Sequence, residues 1–350
     1  MIDEARGRLW VSNFDFVEGS QLKVFDVQTG SVIATIPETF LPGVFFNEVA
    51  MDSAGRVYVS DTFNPVIWTA SENLDGVEVF VNNTLLQNPV RPFGLNGLAL
   101  TPDGEYLIAS VMDRLDAGNG TLVRIDVSSR SVDLVTLSSG SSEVVASFAG
   151  SDGMFFGEGG LLYMVNVFSP AGAIFTAEFS ADYSSASLTV RDAFQAVYDR
   201  PTASAMLDGR LWTVNSQLDH IIDDQNGAVN TPPSLPFTVV HVPTSDLIET
   251  SATSTTTAST ASASGAIFVE LLGNLTYPEG ILERPNGDIF VGGFGDGSIQ
   301  KIEGGETVSY FSAPGENGMR RAVGFMIDEA RGRLWVSNFD FVEGSQLKVF

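Results

Sequence analysis

The chain has 350 residues, 44% of them hydrophobic, with 35 glycines, 25 phenylalanines and no cysteine; 18 basic side chains against 43 acidic ones leave a formal net charge of −25. That balance, with lysine only at Lys23, Lys301 and Lys348, argues against nucleic acid and anionic membrane surfaces as partners, because both reward clustered cations. The missing cysteine excludes a disulfide scaffold, thiolate chemistry and zinc–cysteine sites, and no apolar run is long enough to encode a membrane-spanning helix.

One pattern recurs along the chain: an apolar stretch, a turn rich in Asp, Asn and Gly, then an alternating strand with an aromatic residue or leucine at its centre. It starts as GRLWVS around Trp10, then returns as FNEVAMDSAGRVYVSD around Tyr58 and NGLALTPDGEYLIAS around Leu107. SDGMFFGEGGLLYMVN around Tyr163 and GRLWTVN around Trp212 follow. After Trp212 the interval lengthens. PFTVVHVP (236–243) reads as a further strand, and residues 250–264 then contain only Ser, Thr and Ala. Such a stretch has no apolar face to bury and reads as a linker. If the chain is secreted, its hydroxyls at Thr250, Ser251, Thr253, Ser254, Thr255, Thr256, Thr257, Ser259 and Thr260 are acceptors for O-linked sugars. Beyond it, GAIFVELLG (265–273) is the natural outer strand for the Trp212 repeat, and YPEGILERPNGDIFVGG carries the next copy around Phe290.

Residues 326–350 then repeat residues 1–25 without a change, a period of 325 residues. Packing alone never demands identity, so the chain reads as a window on a tandem array. Turns such as Asp103-Gly104, Asp208-Gly209 and Asn286-Gly287 carry the residues that positive φ requires. Helical periodicity is lacking. Six copies per period, each of about four strands, predict an all-β fold, a six-bladed β-propeller. The organisation expected is blades over 1–249, a linker at 250–264, and a segment 265–350 that either begins the next unit or closes the same ring.

With these motifs the chain resembles the SMP-30/gluconolactonase-like propellers over essentially the whole period. Asn96–Ser110 is similar to that family's NGLA-SPDG blade, Phe46–Asp61 and Ser151–Asn166 to two others, and Tyr277–Gly293 to its first. The resemblance implies a divalent-metal site of Glu279, Asn96 and Asp152, with Asn47 holding substrate or metal-bound water. Carboxylates and amide oxygens suit a hard cation, Ca²⁺ above all. Taken singly, each of these residues is equally a turn former or a solvated side chain. In the enzymes of that family the ion polarises a lactone or ester carbonyl, and Asp152 would assist attack by water. The chain departs from animal members at Phe45, where they carry a substrate-contacting Arg.

Other chemistry is thin. His220 and His241 have no neighbouring nucleophile in the sequence, and GFGDGSIQ (293–300) lies between strands rather than opening a helix, which argues against a phosphate loop. Sequons stand at Asn82, Asn119 and Asn274. The function expected is the structural repeat of a secreted, extracellular fibre or surface array. Its partners are neighbouring copies and glycans, and its propeller channel holds a divalent cation. A metal-dependent lactonase or esterase is the alternative.

Overall fold

A computed structural model of the chain describes residues 2–3, 6, 8–15, 19–26, 32–88, 94–112, 120–140, 144–145, 148–166, 173–190, 197–220, 222–223, 227–228, 231–244, 266–274, 276–283, 287–293, 295–314, 322–328, 333–338 and 346–349. The stretch 250–264 and Asn119 therefore lie outside the described residues. Among the described residues, strands follow one another from end to end and, a two-stranded hairpin of Ile222–Asp223 and Gly227–Ala228 aside, gather into seven sheets in chain order, antiparallel but for one edge strand. Sheet I comprises Ile2–Asp3, Arg8–Asp15, Gly19–Asp26 and Val32–Leu41. Sheet II holds Phe46–Met51, Val57–Asp61, Val66–Ala70 and Val77–Asn82, and sheet III holds Leu95–Leu100, Tyr106–Val111, Thr121–Asp126 and Val132–Leu134. Sheet IV is built from Met154–Phe156, Leu162–Asn166, Ala173–Phe179 and Ser185–Val190. Thr136–Ser139 crosses from sheet III to pair with its outer edge in parallel.

Sheet V takes Pro201–Leu207, Arg210–Asn215 and Thr238–Pro243, then a fourth strand, Ile267–Glu270, from beyond the Ser/Thr/Ala stretch. Sheet VI is Pro278–Glu283, Ile289–Gly293, Ile299–Glu303 and Thr307–Ser312, and sheet VII is Ala322–Asp328, Arg333–Asn338 and Gln346–Val349. The seventh repeats the first in sequence and in register. Ile327 faces Leu334 and Trp335 faces Val349, as Ile2 faces Leu9 and Trp10 faces Val24.

Five apolar clusters lie between consecutive sheets, and period-two alternation decides which side chain joins which. Val57 and Val59 pack toward sheet I, while Tyr58 between them packs toward sheet III. Leu107 and Ala109 face sheet II, and Ile108 faces sheet IV. Leu211 faces sheet IV, and Trp212 and Val214 face sheet VI. Each central strand is thus buried on both sides, which is why it reads as an unbroken apolar run. Every such Leu, Ile or Val stabilises the stack by about 1.5–3 kcal/mol. Sheets stacked face to face in this way bring their first strands toward a common centre. The two-residue hairpin at Asp208-Gly209, with φ of 49° and 68°, shows the turn chemistry that lets strands reverse so tightly.

Candidate functional site

Neighbouring sheets are stitched to one another near their first strands. Gly97 N–H donates to the Ser151 carbonyl at 3.3 Å, and Gly153 N–H donates to Thr202 O at 3.0 Å. The Thr202 hydroxyl donates to Glu279 O at 3.3 Å. On the other side, Gly94 N–H reaches Thr62 O at 3.0 Å and Phe46 N–H reaches Ser20 Oγ at 2.9 Å. These bonds link sheets I to VI in sequence order.

At the same depth nearly every first strand carries a bulge. Asn47 and Glu48 together oppose Ser60, and Asn96 and Gly97 oppose Ser110. Asp152 N–H donates to Val165 O while Val165 N–H donates to Gly153 O, so those two residues share one partner. Thr202 and Ala203 oppose Val214, Glu279 falls between paired Pro278 and Gly280, and Val323 and Gly324 oppose Ser337. A bulge frees one residue from the ladder and re-aims its side chain. Asn47, Asn96, Asp152 and Glu279 all stand at these bulges.

Three carboxylates interact there. Burial pushes the Glu48 carboxyl up to about 7; the Val49 N–H that it accepts at 3.2 Å opposes the shift, and the negative charge of Asp152 adds to it. Glu279 is raised well above the ordinary carboxylate range by burial first, then by repulsion from Asp152 and Glu48. At the bulge of sheet III Asn96, only 8% exposed, donates from Nδ2 to Met112 Sδ at 2.9 Å, while its Oδ1 has no hydrogen-bond partner among the described residues. Asn47 is tied to its own sheet, Nδ2 to Thr62 Oγ1 at 3.1 Å. Glu48 was not singled out by the sequence motifs. Its signal is the doubled polar pair FNEV, where strict alternation fails.

The donor chemistry is of the kind a hard divalent cation takes: oxygen ligands, two glutamates whose carboxyls burial and a neighbouring negative charge raise, and a buried amide oxygen without a donor. Among the described residues, no three His, Cys, Asp or Glu side chains are gathered closely enough to ligate an ion as they stand. Phe45, in the place of the substrate-contacting Arg, packs edge-on against Phe63 with centroids 5.3 Å apart.

Gly97 controls the spacing of two of these strands. A Cβ there would stand 2.5 Å from the Asp152 carbonyl oxygen and 2.9 Å from Met154 Sδ. Gly97→Ala is expected to push Asp152 away from its bulge and to destabilise by about 1–3 kcal/mol. A urea midpoint equal to that of the parent would show that the backbone there gives freely.

The seven stacked sheets with convergent first strands decide the architecture. The chain is a β-propeller. Solved structures agree across nearly its whole length. Virginiamycin B lyase from Staphylococcus aureus superposes with a TM-score of 0.59 at 12% identity, covering 96% of this chain and 89% of its own. A protein from Lactobacillus plantarum gives 0.61 at 10%, covering 97% and 91%. A chain of the nidogen–laminin complex gives 0.55 at 10%, covering 91% and 96%. At such identities the likeness is one of fold. No family model matches the chain, and no curated protein does.

The two histidines bond to side chains of their own surroundings. His241 is 5% exposed, stacks on Trp212 at 3.8 Å and accepts from Arg210 Nε at 2.5 Å; burial first, then the Arg210 charge, hold it down at about 4. His220 Nδ1 lies 2.9 Å from Thr231 Oγ1. Asn82 and Asn274 are exposed, but Thr276 of the second sequon is buried and donates to Leu272 O at 2.8 Å.

Proposed function

We propose that this chain is the structural repeat of a secreted polymer of propellers, an extracellular fibre or surface array, with a Ca²⁺-type cation held at the propeller centre. The observation that carries the reading is the repetition of residues 1–25 at 326–350, folded in both places into the same three strands with the same register. A single globular enzyme has no use for an identical second copy of one blade, whereas a polymer gains length from it. Six distinct sheets per period fit a six-bladed ring of the SMP-30/gluconolactonase type. The Ser/Thr/Ala stretch supplies glycan acceptors suited to an outer surface. The natural material should appear as regular filaments by electron microscopy, or as a ladder of masses one period apart. Uniform single propellers would refute the polymer.

In this reading Asp152, Glu279 and Glu48, with Asn96 Oδ1, hold the cation, which supplies positive charge to carboxylates that otherwise repel one another. Isothermal titration with Ca²⁺ is expected to give one site per chain, weakened at least tenfold in Glu279→Gln. Equal affinity in that variant would remove Glu279 from the site.

One observation favours a second reading, metal-dependent lactone or ester hydrolysis. A carboxyl poised near neutrality, Glu48, sits beside a second carboxylate, Asp152, and such a group can both take a proton from water and return it. A bound divalent ion would polarise the substrate carbonyl. Absence of turnover on lactones and aryl esters with Ca²⁺ supplied would eliminate this activity.

A further inference from the structure

The last two strands of sheet V are joined by far more chain than their geometry asks for. Thr238–Pro243 and Ile267–Glu270 are antiparallel neighbours, with His241 opposite Ile267, so the ends to be connected lie one strand spacing apart. Two to five residues usually close a hairpin of that kind. This chain spends residues 244–266 on it, the Ser/Thr/Ala run included, a tether that could extend to roughly 70 Å. The strand it leads to is nevertheless held in a specific seat. Val269 and Leu271, each 3% exposed, pack among Trp212, Phe237 and Tyr277 between sheets V and VI. Leu271 N–H donates to Phe237 O at 2.8 Å.

A well-defined seat, and an occupant whose connection is long enough to reach a second copy, are what exchange of an identical element between copies requires; the same length lets the strand close on its own chain at little entropic cost. We propose that residues 266 onward dock on sheet V of a second copy of this chain, with the Ser/Thr/Ala stretch as the tether, so that copies are joined through exchanged strands. The contacts made between copies are those already made within one chain. The balance is therefore set by loop closure and effective concentration rather than by any new interface. In a polymer of such units every seat has a neighbour's strand within reach. In that respect the proposal rests on the repeat-unit reading, although separate molecules of this chain suffice to test it.

The absence of cysteine makes the test clean. Thr238 and Glu270 face each other in the register, and neither is buried, so a disulfide between cysteines at these positions is geometrically suited to the pair. The single variants Thr238→Cys and Glu270→Cys, unfolded together, refolded as a mixture and mildly oxidised, are expected to give a disulfide-linked heterodimer that neither variant gives alone. The double variant in one chain reports the in-chain pairing. If the double variant closes only internally at every protein concentration, and the mixed singles stay monomeric, exchange is overturned. If no bridge forms in either, the pairing itself is wrong and the proposal falls with it. Filaments of the natural material without exchanged strands would sink this inference and leave the repeat-unit reading standing.

Discussion

Asp61→Ala is expected to lower stability by about 3–5 kcal/mol, because it leaves four hydrogen-bond donors around a buried carboxylate without their acceptor, at about 1–3 kcal/mol for each that water cannot reach. Asp61 has no exposed surface. Its Oδ1 accepts from Phe45 N–H and Phe63 N–H, both at 3.1 Å, and its Oδ2 accepts from Asn64 Nδ2 at 2.9 Å and Trp68 Nε1 at 3.1 Å. Four donors therefore converge on one carboxylate at the end of the second strand of sheet II. Removing it withdraws that acceptor from all four at once, inside a protein where water cannot easily replace it. Asp61→Asn should cost less, because one acceptor oxygen survives to serve two of the donors. The consequence reaches the propeller centre. Phe45 and Phe63 flank the Asn47–Glu48 bulge, Thr62 O accepts from Gly94 of sheet III, and Thr62 Oγ1 accepts from Asn47. Equilibrium denaturation checks the claim: a change under about 1 kcal/mol in the alanine variant would mean that the cluster is solvated and contributes little.

Much of this architecture could be read from the chain because its central strands are buried on both faces. VYVSD, YLIAS and RLWTVN are nearly continuous apolar runs, and the Asp-Gly and Asn-Gly turns between them leave little else to build than short antiparallel sheets. The outer strands were less legible. Thr136–Ser139 (TLSS) carries no alternation that marks it as a strand, and it pairs in parallel with Ser185–Val190, a strand to which it is not adjacent in sequence. The strand leads directly into sheet IV, whose first strand Met154–Phe156 comes next in the chain, but nothing local in TLSS says that it pairs with the last strand of that sheet rather than the first.

At the centre, motif matching pointed to Asn47, Asn96, Asp152 and Glu279. Their common address in the fold is a backbone irregularity, the bulge, that composition cannot announce. Glu48 escaped notice for the same reason. In a regular strand Asn47 and Glu48 would point to opposite faces, and only one would be a candidate. The extra residue opposite Ser60 breaks that rule and brings the Glu48 carboxyl into the field of Asp152 and Glu279. The unpartnered Asn96 Oδ1 is likewise a property of packing against Met112, not of the Asn-Gly dipeptide.

With cations chelated, the protein should lose stability as pH rises from about 4.5 to 7. Glu48 is raised from 4.5 to about 7 in the folded chain, and Glu279 is raised well above its ordinary value. Across that window the folded state therefore binds more protons than the unfolded chain. Stability falls with pH wherever the folded state is the one holding the extra protons, which is the reverse of the behaviour of a salt-bridged carboxylate. For Glu48 alone the loss is on the order of 2–3 kcal/mol, allowing for the solvent around a half-buried group and for titration shared with its neighbours. Ca²⁺ should reverse the slope. It binds the ionised carboxylates and stabilises the fold by RT ln(1 + [L]/Kd), about 2.7 kcal/mol at a hundredfold excess over Kd, so its effect on the thermal midpoint should be small at pH 5 and large at pH 7.5. Glu48→Gln should flatten the chelated profile, because the group that is forced to ionise is gone. Asp152→Asn should end the fall at a slightly lower pH and make it slightly smaller: it removes a repulsion that raises both glutamates but leaves burial, the larger cause, in place. A midpoint that rises between pH 5 and 7 under chelation, or that ignores Ca²⁺ at pH 7.5, would mean that these carboxylates meet water freely and hold no cation between them.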